Sequence, residues 1–580
     1  MNSVIDNVLT SAYITMPDGV KIAADFWLPI FSEKQNRVPA IVRFTRYWRG
    51  YELSEDKKDL QPIHETAKFW NESGYAFVVV DTRGSGASFG YRDGEFSAKE
   101  INDLGNIVNY ISRTEWCDGN VISEGTSYSA NLALLSSITN PEPLRVVHGT
   151  SPDFDGYAQL IAPGGIQNKW LAETFSGMIQ ALDRNDWQEV LYFNPGKGGS
   201  IQPFIKGVRP VDGDCEKLLL KMAIEEHEKN QKFSLDGEDY SARDSSPTLQ
   251  QTTKSGSLFN YIDEFTKNNS IVNYEVGWFD AGTVVGALAF FKNLNTPTQI
   301  IIGPWNHGSG YYTDPLIEKA PRYYSTIERL TFLREMIDNA QLIGFKKTIV
   351  YYTLGRNKWQ NTSKWPIDGV TLHTLFLANG HRLAEQAPGS KADFTDYPVD
   401  LTATTGVNNR WHTQIGAQQV LFPNRDQEDN KLLIFDSDKI VDPLEITGEI
   451  ELELFISVND TKGAIFAYFE LVAPDGEVIL LTETQVNLAF RARSTNPAYK
   501  GLERNLLISE KQEIFPHEVI EIQLKMLPLS VLVPAGHKIR IAFAGADCDT
   551  FTQINDENTV LKIMHDSRHK SCVRLPVKKA

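Results

Sequence analysis

The sequence predicts an α/β core that is interrupted by a mainly helical insertion and followed by an all-β region. Three observations carry the prediction. Short β-branched runs alternate with helix-periodic stretches over roughly the first 150 residues and again near 270–300. Between about 155 and 255 the pattern turns polar and glycine-interrupted. After about residue 356 helical periodicity fades, and short strands separated by turns dominate. At 580 residues the chain is several times the usual domain length of about 100–200, so more than one core is expected.

In chain order, Ala12 to Leu28 reads as two short strands around Pro17-Asp18-Gly19, because Asp-Gly between alternating apolar positions is a hairpin signal. Ala40 to Phe44 and Ala76 to Val80 are strand-like, with a helical stretch around 60–73 between them, the alternation that builds a parallel sheet. Leu104, Ile107, Val108 and Ile111 recur at helical spacing within Asn102 to Ser112. A strand at Val121-Ile122 then runs into the turn Gly125-Thr126-Ser127-Tyr128, and Asn131 to Ile138 is again helix-like. The insertion holds a predicted helix around Glu216 to Lys229. Ile271 to Val276 and Thr298 to Ile302 resume the sheet around a helix at Val284 to Asn293, while Glu449 to Ile456 and Lys538 to Phe543 typify the later strands. The expected divisions are 1–150 (core, first part), 151–255 (cap), 256–355 (core, second part) and 356–580 (C-terminal β domain).

Hydrophobic residues at 41% and charged residues at 23% are ordinary for folded soluble chains. The net charge of −17 argues against a nucleic-acid partner, which would require a surplus of Lys and Arg. Met1 to Asp6 has neither a basic nor an apolar leader region, and no later run is long and apolar enough to span a bilayer. A cytoplasmic protein without a membrane partner is expected. Cys117, Cys215, Cys548 and Cys572 are scattered and include no C-x-x-C pair, so they read as reduced thiols rather than a zinc site or disulfide framework.

Chemistry enters at Ser127. A serine hydroxyl is a weak nucleophile at neutral pH and requires a base, a carboxylate to orient that base, and donors for the oxyanion. A Gly-x-Ser turn between apolar runs is by itself a weak signal, and Gly-x-Ser-x-Ser is not the strict Gly-x-Ser-x-Gly pattern. Its partners decide the matter. Asp280, in Val276-Gly277-Trp278-Phe279-Asp280, and His307, in Gly303-Pro304-Trp305-Asn306-His307, each lie just past a predicted strand. The order Ser127, Asp280, His307 is the one an α/β-hydrolase core demands. Taken singly, Asp280 could cap the following helix and His307 could be a loop histidine bonded to its own backbone. Neither alternative explains three strand ends in the right order.

These residues and several longer runs resemble the cocaine esterase-like, or CocE/NonD, hydrolases, which are related to X-Pro dipeptidyl peptidases, α-amino-acid ester hydrolases and glutaryl acylases. The runs are Met16 to Asp25, Asp81-Thr82-Arg83-Gly84-Ser85-Gly86-Ala87-Ser88-Phe89-Gly90, Asp118-Gly119-Asn120-Val121, Gly277 to Asp280 and Gly303 to His307. The resemblance spans nearly the whole chain. It implies an α/β-hydrolase core with an inserted helical cap and a C-terminal β-sandwich (jelly-roll) domain that closes one side of the site, no metal and no organic cofactor. It also implies the triad Ser127, Asp280 and His307, with the Tyr47 phenol and the Tyr128 N–H as the oxyanion hole. Trp48, Trp170 and Trp305 are candidates to line an aromatic acyl pocket. One departure is Ala130, where the family usually has glycine three residues after the nucleophile.

The implied reaction is cleavage of a small-molecule ester or amide. X-Pro peptidase activity, acyl transfer, a non-catalytic binding role and homo-oligomerisation stay open. The dedicated X-Pro peptidases generally carry a further N-terminal domain, and the first strand here is expected near residue 12, which favours an esterase or acylase. The stretch Gly84-x-Gly86 is a near miss for a dinucleotide fingerprint, because Gly90 falls one residue too far along and no acid follows a second strand at the proper place.

Overall fold

The Asp18-Gly19 turn closes the expected hairpin. In the computed structural model, which describes residues 8–31, 36–57, 63–232, 240–342, 347–416 and 418–578, Val8–Thr15 pairs antiparallel with Lys21–Leu28 and sets Ala12 opposite Ala24. Gly19 sits at φ +86°, a left-handed conformation that glycine adopts without steric cost. Met1 to Asp6 and positions 60–62 of the predicted first helix lie outside the described residues.

The hairpin forms one edge of a ten-stranded sheet. Inward from it run Ala76–Asp81, Val38–Thr45, Cys117–Thr126, Leu144–Thr150, Ile271–Gly277, Thr298–Gly303 and Thr348–Thr353, all mutually parallel, and Lys358–Thr362 closes the far edge antiparallel. Ala76–Asp81 is buried along its whole length, as expected of a strand covered on both faces, which is why it reads as an unbroken apolar run. Helices Ile63–Glu72, Ala98–Ser112, Tyr128–Ile138, Thr283–Asn293 and Thr326–Leu342 lie in the crossovers between parallel strands. The Ser97 hydroxyl caps the second of these by accepting from the Glu100 N–H. Because the parallel strands all point one way, Asp81, Ser127, Asp280 and His307 emerge along the same edge of the sheet, where open α/β folds place their sites.

The insertion carries helices Lys169–Asp183, Trp187–Phe193, Leu218–His227 and Pro247–Gly256, together with a short strand, Ile205–Val208, that pairs with Tyr51–Leu53 of the core. Beyond residue 355 the core sheet still contributes Lys358–Thr362, and thirteen further strands then build a separate C-terminal β domain. One buried node ties the two ends of the insertion to the C-terminal domain. Asp155, just past core strand Leu144–Thr150 where the insertion begins, receives both Nη atoms of Arg243 from the insertion's far end at 2.7 Å, and the Tyr499 hydroxyl of the C-terminal domain donates to the same carboxylate at 3.0 Å. Among the described residues no helix is long and apolar enough to cross a membrane.

The glycine run after Ala76–Asp81 has a structural account. Arg49 pairs with Asp81 at 2.9 Å and with Asp25 at 2.7 Å inside the core, and a Cβ on Gly86 would lie 2.2 Å from the Asp81 carboxylate. The glycine therefore lets the chain wrap a buried ion pair.

Candidate active site

Strand Cys117–Thr126 ends one residue before Ser127, and helix Tyr128–Ile138 starts one residue after it. That leaves Ser127 alone on the turn, at φ +61° and ψ −126°, a strained conformation held by its N–H to the Thr150 carbonyl at 2.9 Å. The turn is tight enough that a Cβ on Gly125 would lie 2.3 Å from the Ser129 carbonyl oxygen, so the small residue there is a steric requirement. Ala130 is fully buried, and its methyl lies 3.4 Å from where a Cβ on Gly149 would be. The neighbouring strand accommodates the extra carbon by having none of its own.

Asp280 follows strand Ile271–Gly277, is fully buried, and accepts a 2.8 Å hydrogen bond on Oδ1 from His307 Nδ1. Its carboxylate is therefore not a helix cap, and the histidine is not bonded to its own backbone. Burial pushes the Asp280 carboxyl up, but the His307 charge and donors from His307, Ser151 and Gln414 hold it below its ordinary value. Burial pulls His307 down, and the Asp280 charge and hydrogen bond, with Asp153, outweigh it and raise the imidazole.

The loop bearing His307 is fixed from several sides. Its neighbour Gly308 donates its N–H to Ser151 Oγ at 2.9 Å and accepts from Arg329 Nη1 at 2.6 Å, and Ser309 Oγ donates to Glu275 Oε1 at 2.5 Å. A Cβ on Gly308 would lie 3.1 Å from Thr126 Cγ2, which puts this loop against the Ser127 turn. The His307 Nε2 is buried and takes no hydrogen-bond partner among the described residues.

Tyr47 follows strand Val38–Thr45, with its N–H on Thr45 Oγ1 at 2.9 Å. Burial, against an opposing Arg46, pushes its phenol well above the ordinary value, and Ser127 is among the groups that act on it. The hydroxyl thus stays protonated and able to donate. Tyr128 is the first residue of its helix, so its N–H belongs to the first turn, whose donors have no partner within the helix. The Tyr128 ring stacks on Phe96 at 4.0 Å and meets the Tyr47 ring edge-on at 6.1 Å.

A pocket opens beside Ser127, Tyr47 and Tyr128. Its walls are mainly apolar, with Phe96 from the core, Leu171 and Phe175 from the insertion and Ile415 from the C-terminal domain, while Asp153 and Gln414 add polar groups. Burial raises the Asp153 carboxyl to about 7, against the lowering charge of His307.

None of the three tryptophans expected to line an acyl pocket is among its lining residues. Trp48 packs on Trp187 and Tyr51, and its Nε1 donates to the Leu182 carbonyl at 3.2 Å. Trp170 stacks on His412 at 4.3 Å between the insertion and the C-terminal domain. Trp305 lies over Gly277 and Gly303, where an added Cβ would strike it, and packs on Tyr324 and Trp359. Sequence patterns do not single out Asp153, Phe96 or Gln414. Asp153, three residues past strand Leu144–Thr150, carries a strand-end signal, and Gln414 carries none.

Among the described residues no group of three or more His, Cys, Asp or Glu side chains is placed to hold a metal ion. A family model for X-Pro dipeptidyl-peptidases (S15 family) matches residues 18–309, and one for the X-Pro dipeptidyl-peptidase C-terminal non-catalytic domain matches 344–566. A Mycobacterium bovis protein provisionally named a serine esterase is 33% identical, with 98% of this chain and 95% of that one covered. The cocaine esterase of a Rhodococcus species is 22% identical over 96% of this chain and 93% of its own. Among solved structures, an α-amino acid ester hydrolase superposes with a TM-score of 0.71 at 16% identity, covering 100% of this chain and 98% of its own. A CocE/NonD family hydrolase from Staphylococcus aureus gives 0.64 at 14% identity, covering 98% and 93%.

Proposed function

We propose that this chain, which belongs to the X-Pro dipeptidyl-peptidase (S15) family of serine hydrolases, cleaves a small-molecule acyl ester or amide through an acyl-enzyme on Ser127. The observation that carries the reading is the Asp280–His307 hydrogen bond of 2.8 Å, with His307 Nε2, on a loop packed against the Ser127 turn, left without a partner among the described residues. In this reading His307 Nε2 takes the Ser127 proton as the oxygen attacks the carbonyl, and Asp280 holds the tautomer and stabilises the imidazolium. The Tyr47 hydroxyl and the Tyr128 N–H donate to the oxyanion. His307 then protonates the leaving alcohol or amine, and a water activated by the same imidazole frees the acid.

The apolar wall of Phe96, Leu171, Phe175 and Ile415 favours an apolar acyl group. A second reading, X-Pro dipeptidyl-peptidase activity, draws on Asp153, a pocket carboxylate that could pair with a protonated substrate amine. A panel of p-nitrophenyl esters and aminoacyl-prolyl anilides, assayed with the wild type and Ser127→Ala, separates the two. Failure to form a fluorophosphonate adduct, together with no Ser127-dependent hydrolysis, would reject both.

A further inference from the structure

We infer that Gln414, in the region whose family match is described as non-catalytic, is a positioning residue of the triad. The inference rests on Asp280 being the triad carboxylate. Gln414 Nε2 donates to Asp280 Oδ1 at 2.6 Å, the same oxygen that receives His307 Nδ1. Gln414 is only 9% exposed, and Asp280 is fully buried, so no bulk water substitutes for this donor.

The turn that delivers Gln414 is held on every side. It is the short helix Arg410–Gln414, capped by the Asn409 side chain, which accepts from the Trp411 N–H at 2.8 Å and the His412 N–H at 3.0 Å. The Ala281 N–H docks on the Arg410 carbonyl at 3.2 Å, fixing the turn against the residue that follows Asp280. Trp411 Nε1 anchors the far side on Glu483 at 2.8 Å. The same turn contains a cation, and that cation is directed elsewhere: Arg410 donates to the Trp278 carbonyl at 3.1 Å and the Leu481 carbonyl at 2.6 Å, and pairs with Glu483 at 3.3 Å.

The distinction matters chemically. A guanidinium on Asp280 would cancel the negative charge that His307 needs, whereas a neutral amide satisfies a buried carboxylate and leaves its charge in place. Gln414 thus fixes the rotamer of Asp280 and moderates how tightly that carboxylate holds the imidazolium. Besides each other, Asp280 and His307 feel Asp153, Arg410 and Tyr274.

The test compares Gln414→Met, which keeps the volume and removes the donor, with wild type on whichever ester of the panel is cleaved fastest, alone and in an Asp280→Asn background. The expected result is a loss in kcat of roughly 10- to 100-fold with a smaller change in KM, and an acid limb of kcat/KM moved to higher pH because Asp280 grips the imidazolium harder. In the Asp280→Asn background the second substitution should add little, since it acts through that carboxylate. If Gln414→Met does not fold, Gln414→Asn, which keeps an amide but draws it back from Asp280, takes its place with the same expected direction of shift. The inference is overturned if the folded variant keeps the wild-type kcat and acid limb while Asp280→Asn is crippled, or if it loses the same factor in both backgrounds. Full activity of Asp280→Asn would instead remove the triad reading and this inference with it.

Discussion

Two buried acid–histidine pairs lie side by side at the ends of the parallel strands, and their chemistry is nearly the same. Asp280 and His307 meet at 2.8 Å; Glu275 and His148, on adjacent strands, meet at 3.3 Å, with the hydroxyls of Thr150 and Ser309 as near neighbours. Each set holds a histidine, a carboxylate and at least one hydroxyl. Only the first has its histidine on a loop against a strained serine that borders a pocket. The second is sealed: His148 is fully buried on a strand, and Glu275 spends its oxygens on Ser309, Thr150 and His148, which steadies the loop carrying His307. Access, rather than the roster of side chains or a positive φ, which Ser309 shares at +54°, separates a proposed reaction centre from a structural clamp.

The contrast is tested most severely at the nucleophile. Ser127→Ala should lower kcat by about 10⁶ with the fold unchanged, whereas Ser309→Ala should leave kcat within about tenfold, both read from steady-state kinetics. The acids should differ next. Asp280→Asn is expected to cost about 10⁴ in kcat, while Glu275→Gln should cost less than about tenfold in kcat but about 1–3 kcal/mol of stability by denaturant unfolding. A third test removes only the proposed oxyanion donor: Tyr47→Phe should reduce kcat by about 10²–10³ with little change in KM.

The smallest effect concerns pH. Because the folded His307 value is raised above 6.5, kcat/KM should fall as pH drops through that raised value, and Asp280→Asn should shift the limb downward. Stability runs the other way. A histidine with a raised folded pKa contributes stability fully below 6.5 and loses it as pH climbs through the folded value. Urea midpoints measured on both sides of the acid limb should therefore decline where activity rises.

Much of the candidate site is legible in the amino-acid sequence alone. Ser127, Asp280 and His307 stand next to strands whose β-branched composition announces them, and local turns carry them. Gln414 is not legible, since it reaches Asp280 from 134 residues away through a short helix without periodicity. The tryptophans mislead for a different reason. An indole reads alike whether it seals a core or lines a pocket, and Trp48 satisfies its N–H on Leu182, a contact between core and cap that no local pattern encodes. The final core strand, Lys358–Thr362, likewise falls in a stretch whose composition already resembles the β domain.

The node at Asp155 has a consequence for the order of events as the chain matures. Its partners Arg243 and Tyr499 lie 88 and 344 residues further along, and Asp155 sits only two residues from Asp153 in the pocket wall. On a growing chain Arg243 answers that charge early, but the Tyr499 hydroxyl that completes the node arrives only with the C-terminal domain. Turnover should therefore be the last property to return in refolding, trailing recovery of the parallel sheet, and the pocket should not close on substrate until the C-terminal domain has arrived.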